Sequence, residues 1–266
     1  KSERIQTAFS TMRDKLAEVN PDVLVIFGDD QLECFDFNNF PSFAVYVGEE
    51  YEGHTASRDG QFGRPAAGEH APMQRGFDPA FCMDMPKPER GIGHAFFRPA
   101  ESLTKFDIPT IPLLLNCYYA PQPTAIRCYE FGKAVREAIE SHPSDLRVAL
   151  IGSGGLWHTP GAKNAWLNEE FDRESLKYLE AGDARGMAEY FDAYEIPDGD
   201  LSQYVGERGR GATGMPGFGG PQGGTRETCN WIAAAGAADG SRSTIVDYIP
   251  IYASPVGAAW SYCVDL

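Results

Sequence analysis

Ala149-Leu150-Ile151-Gly152-Ser153-Gly154-Gly155-Leu156-Trp157-His158-Thr159-Pro160-Gly161 is an apolar run that empties into a glycine turn and reaches a histidine. Small residues permit close backbone approach where a strand ends, and open α/β sheets place their chemistry outside the carboxyl ends of their strands. His158, the titratable ring just past that end, is therefore the first candidate for a catalytic role. A satisfied loop histidine would occupy the same place, so the company it keeps in the chain has to decide.

Working outward, Ser2–Val19 sets Ile5, Ala8, Phe9, Met12, Leu16 and Val19 at three- and four-residue spacings, with charged residues between them. That spacing predicts an amphipathic helix. Asn20-Pro21-Asp22 ends it, and Val23-Leu24-Val25-Ile26-Phe27 is the short, wholly apolar run of a strand buried on both faces. A helix followed by a buried strand belongs to the α/β class. The expected fold is α/β, with a central, mostly parallel sheet flanked by helices, in a single domain spanning residues 1–266.

The remaining elements fit that scheme. Strands are expected at residues 43–47, at 108–115 interrupted by prolines, and at 147–151. Helical spacing marks residues 124–140, ended by Ser141-His142-Pro143, then two helices through 177–179 and 184–194, then 225–235 with Thr225 or the glycine before it as cap. Residues 243–252 read as a final strand pair or edge. Two stretches are irregular: 48–90, rich in glycine and proline and carrying His54 and His70, and the glycine-rich 206–224, which contains Arg208 and Arg210. Each reads as a lid or flap, or as a linker.

Composition narrows the function. Lys+Arg 23 against Asp+Glu 38 gives a net charge of -15, which repels phosphate backbones and anionic lipid. Nucleic acid and membrane are not expected partners, and no run of about 18 apolar residues is present to span a bilayer. The six cysteines are scattered without a C-x-x-C pair, as buried thiols in a reducing compartment would be, so a cytoplasmic location is expected.

Three further places carry candidate chemistry. Gly28-Asp29-Asp30-Gln31-Leu32-Glu33 is a polar cluster at the end of the first strand, suited to a metal or substrate, or to a hydrogen-bonded loop. Gly91-Ile92-Gly93-His94-Ala95-Phe96-Phe97 sets a histidine among aromatics, where it would stay neutral and exchange protons, or sit bonded in the core. Glu227 falls in the first turn of its expected helix, where a carboxylate suits the helix dipole or projects as a metal ligand.

These phrases, with Asn116 to Pro123, Asn168-Glu169-Glu170-Phe171-Asp172 and Glu227-Thr228-Cys229-Asn230-Trp231-Ile232, occur in the order seen in class III extradiol ring-cleaving dioxygenases. The chain resembles their LigB-type catalytic chain over nearly its whole length. Its Gly-Asp-Asp-Gln phrase is most similar to the branch acting on gallate and 3-O-methylgallate. The resemblance implies a non-haem Fe(II) held by two histidines and a glutamate, with open positions for a catechol and dioxygen. It implies Glu227 as the carboxylate ligand, His158 as the acid/base that exchanges a proton with the substrate hydroxyl, and His94 as a second pocket histidine.

Two departures accompany it. The family's first histidine ligand belongs to a strand that would lie upstream of Lys1, and its second aligns with Gln31; Asp29, Asp30 or Glu33 are alternative ligands. The partners so implied are a small aromatic acid and O2, in a homo-oligomer, with a homodimer expected. A metal-less binding or structural subunit of the same fold, or a zinc-dependent hydrolase, are the alternative functions.

Overall fold

A computed structural model of the chain describes residues 1–31, 34–35, 40–48, 50–51, 74–75, 92–118, 122–158, 166–195, 221, 223–238 and 240–263. In chain order the elements are α1 (Ser2–Val19), β1 (Val23–Gly28), β2 (Phe43–Val45), β3 (Glu50–Tyr51), β4 (Gln74–Arg75), α2 (His94–Thr104) and β5 (Thr110–Leu115). They continue with α3 (Ala125–Ser141), β6 (Val148–Gly152), α4 (Glu169–Ala181), α5 (Ala184–Ala193), a 3-10 turn (Gly223–Glu227), α6 (Thr228–Ala237), β7 (Thr244–Ile251) and β8 (Val256–Tyr262). His54, His70, Glu33, Arg208 and Arg210 lie outside the described residues.

The main sheet has the order β2-β5-β1-β6. β1 pairs in parallel with β5 on one side and β6 on the other, and β2 runs antiparallel to β5. The α/β class and the mostly parallel sheet expected above are the observed architecture. β1 is central and every residue of it is buried. Its side chains alternate: Val25 and Phe27 join Leu113, Leu115 and the residues of α3 to α6 on one face, while Leu24 and Ile26 join Leu114 and α2 on the other. Parallel strands covered on both faces need apolar residues at every position, which is why this run carries no polar side chain.

Pro112 lies inside β5, and the register explains why it is tolerated there. β2 is in register with β5 as far as Val45, opposite Leu113. The next residue, Tyr46, donates its N–H to the Pro112 carbonyl at 3.0 Å. Proline has no N–H to return, so the ladder stops at that pair. The strand expected over 43–47 is accordingly shorter, and β5 is continuous rather than broken.

α3 and α6 pack closely on one side of the sheet. A Cβ at Gly132 would lie 2.0 Å from the Ala233 carbonyl oxygen, so only glycine fits between the two backbones. Gly132→Ala gains helix propensity of about 1 kcal/mol, but forcing two helix backbones apart costs about 1–3 kcal/mol. The clash wins, and urea unfolding is expected to show a less stable variant; an unchanged or raised midpoint would contradict the close approach.

β7 and β8 form a separate antiparallel hairpin. α1 rests on it through the Arg4–Asp247 ion pair and an edge contact of Phe9 with Trp260 at 5.5 Å between ring centres. The hairpin also braces the segment after β6. Gly257 exchanges backbone bonds with Leu156 and Trp157, and His158 bridges to Val256. Asp172 of α4 completes the brace, accepting the Trp157 N–H at 2.7 Å and the Tyr248 hydroxyl at 2.7 Å.

Burial raises the Asp172 carboxyl to about 6, against the two hydrogen bonds, which lower it. The native carboxyl thus holds its proton to higher pH than the unfolded one, near 3.8. Between those values the unfolded state binds fewer protons, so the contribution of Asp172 to stability falls as pH rises. The fall amounts to no more than about 3 kcal/mol. Urea unfolding between pH 4 and 6 is expected to show it, and Asp172→Asn to flatten it; an identical slope in the variant would remove Asp172 as its source.

The sequence reading missed α2. Gly93 is its N-cap and His94 its first residue, so the glycine-histidine phrase is a helix start. Phe96, Phe97, Ala100 and Thr104 form its buried stripe. Of the glycine-rich stretch, residues 206–220 and 222 lie outside the described residues, while Gly223 and Gly224 are regular and open the 3-10 turn. Among the described residues no helix is long and apolar enough to cross a membrane.

Candidate active site

Three parallel strands end side by side, and the chain leaving each one contributes to a single cluster. After β1 come Asp29, Asp30 and Gln31; after β5, Asn116, Cys117 and Tyr118; after β6, Ser153 and the turn leading to His158. α6 faces these ends. Its buried Asn230 donates to the Ser153 carbonyl at 2.9 Å and to Asp29 at 3.3 Å, and accepts the Cys117 thiol at 3.6 Å. One amide thereby ties the three strand ends together. Trp231 Nε1 adds a bond to the Gly154 carbonyl at 3.0 Å.

Glu227 is the centre of the cluster. It closes the 3-10 turn and is the N-cap of α6, rather than lying in the first helical turn as the spacing suggests. Its side chain makes no capping bond and turns into the site instead. Oε1 receives the Tyr118 hydroxyl at 2.6 Å and Gln31 Nε2 at 3.2 Å, and lies 3.1 Å from His158 Nε2. Oε2 accepts the Gly155 N–H at 3.0 Å.

His158 is equally fixed. Its Nδ1 lies 2.9 Å from the Leu156 carbonyl, so Nδ1 carries a proton and donates it there, which turns Nε2 toward Glu227. The Thr225 hydroxyl accepts the His158 N–H at 3.1 Å. Close backbone passage makes room for the pair. A Cβ at Gly224 would lie 2.6 Å from His158 Nε2, and one at Gly154, whose φ is +116°, would lie 2.8 Å from Glu227 Oε2.

Both groups are more than nine-tenths buried. Burial alone would lower the His158 pKa, but the Glu227 charge and its hydrogen bond outweigh it and raise it. Burial likewise pushes Glu227 up, and the His158 charge with the His158, Tyr118 and Gly155 bonds brings it below the usual carboxylate range. The pair is an imidazolium–carboxylate pair at neutral pH. Burial, then the Glu227 and Asp29 charges, lift the Tyr118 phenol well above its ordinary range, so it is a standing donor.

The structure therefore brings Gln31, His158 and Glu227 together. His94 opens α2, whose next residues press on the end of β1, where a Cβ at Gly28 would lie 2.8 Å from Phe96. Asp30 is a loop residue, accepting the Cys34 and Phe35 N–H groups at 2.7 and 3.3 Å. His142 is exposed at the end of α3 and bonds Ser144. Tyr118 and Asn230 were not foreseen. A lone strong amide in the otherwise apolar α6 was the available clue to Asn230.

Residues 2–199 match the family model described as the catalytic LigB subunit of aromatic ring-opening dioxygenase. The chain belongs to the LigB family. Over 129 residues it is 36% identical to a gallate dioxygenase of Pseudomonas putida, covering 43% of this chain and 36% of that protein. Over 164 residues it is 29% identical to a 2,3-dihydroxyphenylpropionate/2,3-dihydroxicinnamic acid 1,2-dioxygenase of Photorhabdus laumondii, covering 59% of this chain and 49% of the relative. The LigB-family chain thus spans half or less of the length of these curated relatives. An uncharacterized protein from Escherichia coli K12 aligns structurally over 94% of this chain and 90% of its own, with 14% identity and a TM-score of 0.46.

LigB dioxygenases are generally metal-dependent. The chemistry here fits a divalent ion held through Glu227: an ionised carboxylate and an imidazole converge, and glycine backbones leave beside them the space a Cβ would fill. Among the described residues no group of three or more His, Cys, Asp or Glu is placed to hold an ion, and Glu227 is the donor this cluster offers, with the Gln31 amide beside it.

Proposed function

We propose that this LigB-family chain is a non-haem Fe(II)-dependent extradiol dioxygenase that opens the ring of a catechol or gallate-type aromatic acid with O2. The observation carrying this reading is the convergence of His158, Tyr118 and Gln31 on the buried Glu227 at the carboxyl ends of three parallel strands. In this reading Glu227 is the carboxylate ligand and Gln31 stands in the neighbouring ligand position. Ferrous iron, when bound, supplies the meeting place and the electron path for catechol and dioxygen.

The protein's own groups manage the protons. Against burial, His158 is held protonated chiefly by the Glu227 charge and its hydrogen bond. Once that charge is engaged elsewhere, the His158 pKa falls and Nε2 accepts the proton of a substrate hydroxyl, to return it as the ring opens. Nδ1, fixed on the Leu156 carbonyl, keeps the ring in the orientation this exchange needs. His94 supplies a second pocket imidazole at the start of α2. We further propose that residues 1–266 act as one catalytic domain in a cytoplasmic homo-oligomer; the buried thiols of Cys117, Cys128 and Cys229 suit a reducing compartment.

The second reading is a metal-less binding subunit. The observation favouring it is that Glu227 Oε1 already has three protein partners, a charge-balanced arrangement without any metal. Ferrous loading under argon, followed by oxygen uptake with protocatechuate, gallate or 3-O-methylgallate, separates the two. Uptake near one O2 per substrate is expected; neither uptake nor bound iron would favour the binding subunit. Metal analysis distinguishes iron from the zinc of a hydrolase.

A further inference from the structure

We propose that Tyr118 is a positioning residue for the Glu227 carboxylate, setting the orientation in which that carboxylate is offered to its metal; this rests on the ferrous reading above. Tyr118 stands three residues past the end of β5. Its hydroxyl lies 2.6 Å from Glu227 Oε1, the length of a charge-assisted bond. A phenol has one hydrogen, and this one is committed to Glu227, so the same oxygen meets Gln31 Nε2, at 3.3 Å, as an acceptor. Gln31 Nε2 in turn lies 3.2 Å from Glu227 Oε1, which closes a triangle of three side chains drawn from three parts of the chain.

That triangle does what a glutamate on a helix end cannot do for itself. The side chain has three rotatable bonds, and Glu227 has no capping bond to hold it. The Gly155 N–H fixes Oε2 and the Tyr118 hydroxyl fixes Oε1, so the carboxylate plane is set from both ends. His158 approaches Oε1 too, at 3.1 Å, and Tyr118 is the neutral donor beside it that holds the carboxylate in place.

Tyr118→Phe removes the hydroxyl and keeps the ring. Ferrous affinity of the full protein, measured by competition with a chelator, is expected to fall about 10- to 100-fold, as it does when a group orienting a metal ligand is lost. The electron paramagnetic resonance spectrum of the ferrous–nitric oxide adduct is expected to change with it, while the metal-free protein stays folded with an unfolding midpoint lowered only by the loss of one hydrogen bond. Unchanged affinity and spectrum would overturn the role of Tyr118 and leave the dioxygenase reading standing. A variant that fails to fold would overturn it too, since the hydroxyl would then be structural. A wild-type protein that takes up no ferrous ion would instead remove the proposed function, and this inference with it.

Discussion

Glu227→Ala is expected to abolish ferrous binding and ring opening together, because it removes the one carboxylate on which the cluster converges. The same change should be felt in the metal-free protein. Tyr118, Gln31 and the Gly155 N–H lose their shared acceptor, and His158 is left buried without its counter-charge. Removing one member of a buried ion pair costs about 3–5 kcal/mol, more than is recovered by sparing Glu227 its own burial. The His158 pKa, no longer held up by the carboxylate, should fall, since burial is then opposed only by the Leu156 carbonyl and the Asp29 charge. Iron content, urea unfolding and the histidine resonances of the variant check the three parts. Normal iron in Glu227→Ala would sink the ligand assignment.

His158→Ala is expected to behave differently. Iron content should stay near the wild-type level while turnover falls by roughly 10²- to 10⁴-fold, the range for losing a general acid/base. Steady-state oxygen uptake and metal analysis on the same preparation make the comparison, and undiminished turnover would remove His158 from the mechanism. The contrast between the two variants is itself informative: one loses metal and rate together, the other rate alone. In the metal-free protein the ion pair also has a defined pH window. Glu227, with its lowered pKa, loses its stabilising charge as pH falls; His158, with its raised pKa, loses its charge as pH rises; the pair is strongest between the two.

The elements nearest the start of the chain were the most legible. α1 announces itself through a period of 3.6 and β1 through an unbroken apolar run, because one face of α1 and both faces of β1 meet apolar neighbours. α2 was hidden because two glycines flank Ile92 just ahead of His94, and only the packing of Phe96 and Phe97 against the sheet makes the segment a helix. β2 was read too long because the stop is set by Pro112, a residue 67 positions beyond Val45. Glu227 was placed two or three residues too deep because the 3-10 geometry of Gly223–Glu227 shifts the start of α6.

The site was legible in another way. Composition and spacing alone left His158 open between catalysis and a loop role. Family resemblance singled out Gln31, His158 and Glu227, which prove to be neighbours although 196 residues separate Gln31 from Glu227. Tyr118 escaped because nothing local marks it, and Asn230 because a single amide in the apolar α6 is a faint mark. Their importance comes from where three strand ends and one helix meet, and that meeting is a property of the sheet order rather than of any short stretch.

The central claim is that this chain puts both atoms of dioxygen into an opened aromatic ring. Mass spectrometry of the product formed by the ferrous-loaded protein under ¹⁸O₂ tests it most directly. The account predicts an acyclic product carrying both labelled atoms, apart from exchange with water at an aldehyde or carboxyl group. An intact ring, or a product without label formed while the protein holds its iron, would contradict it.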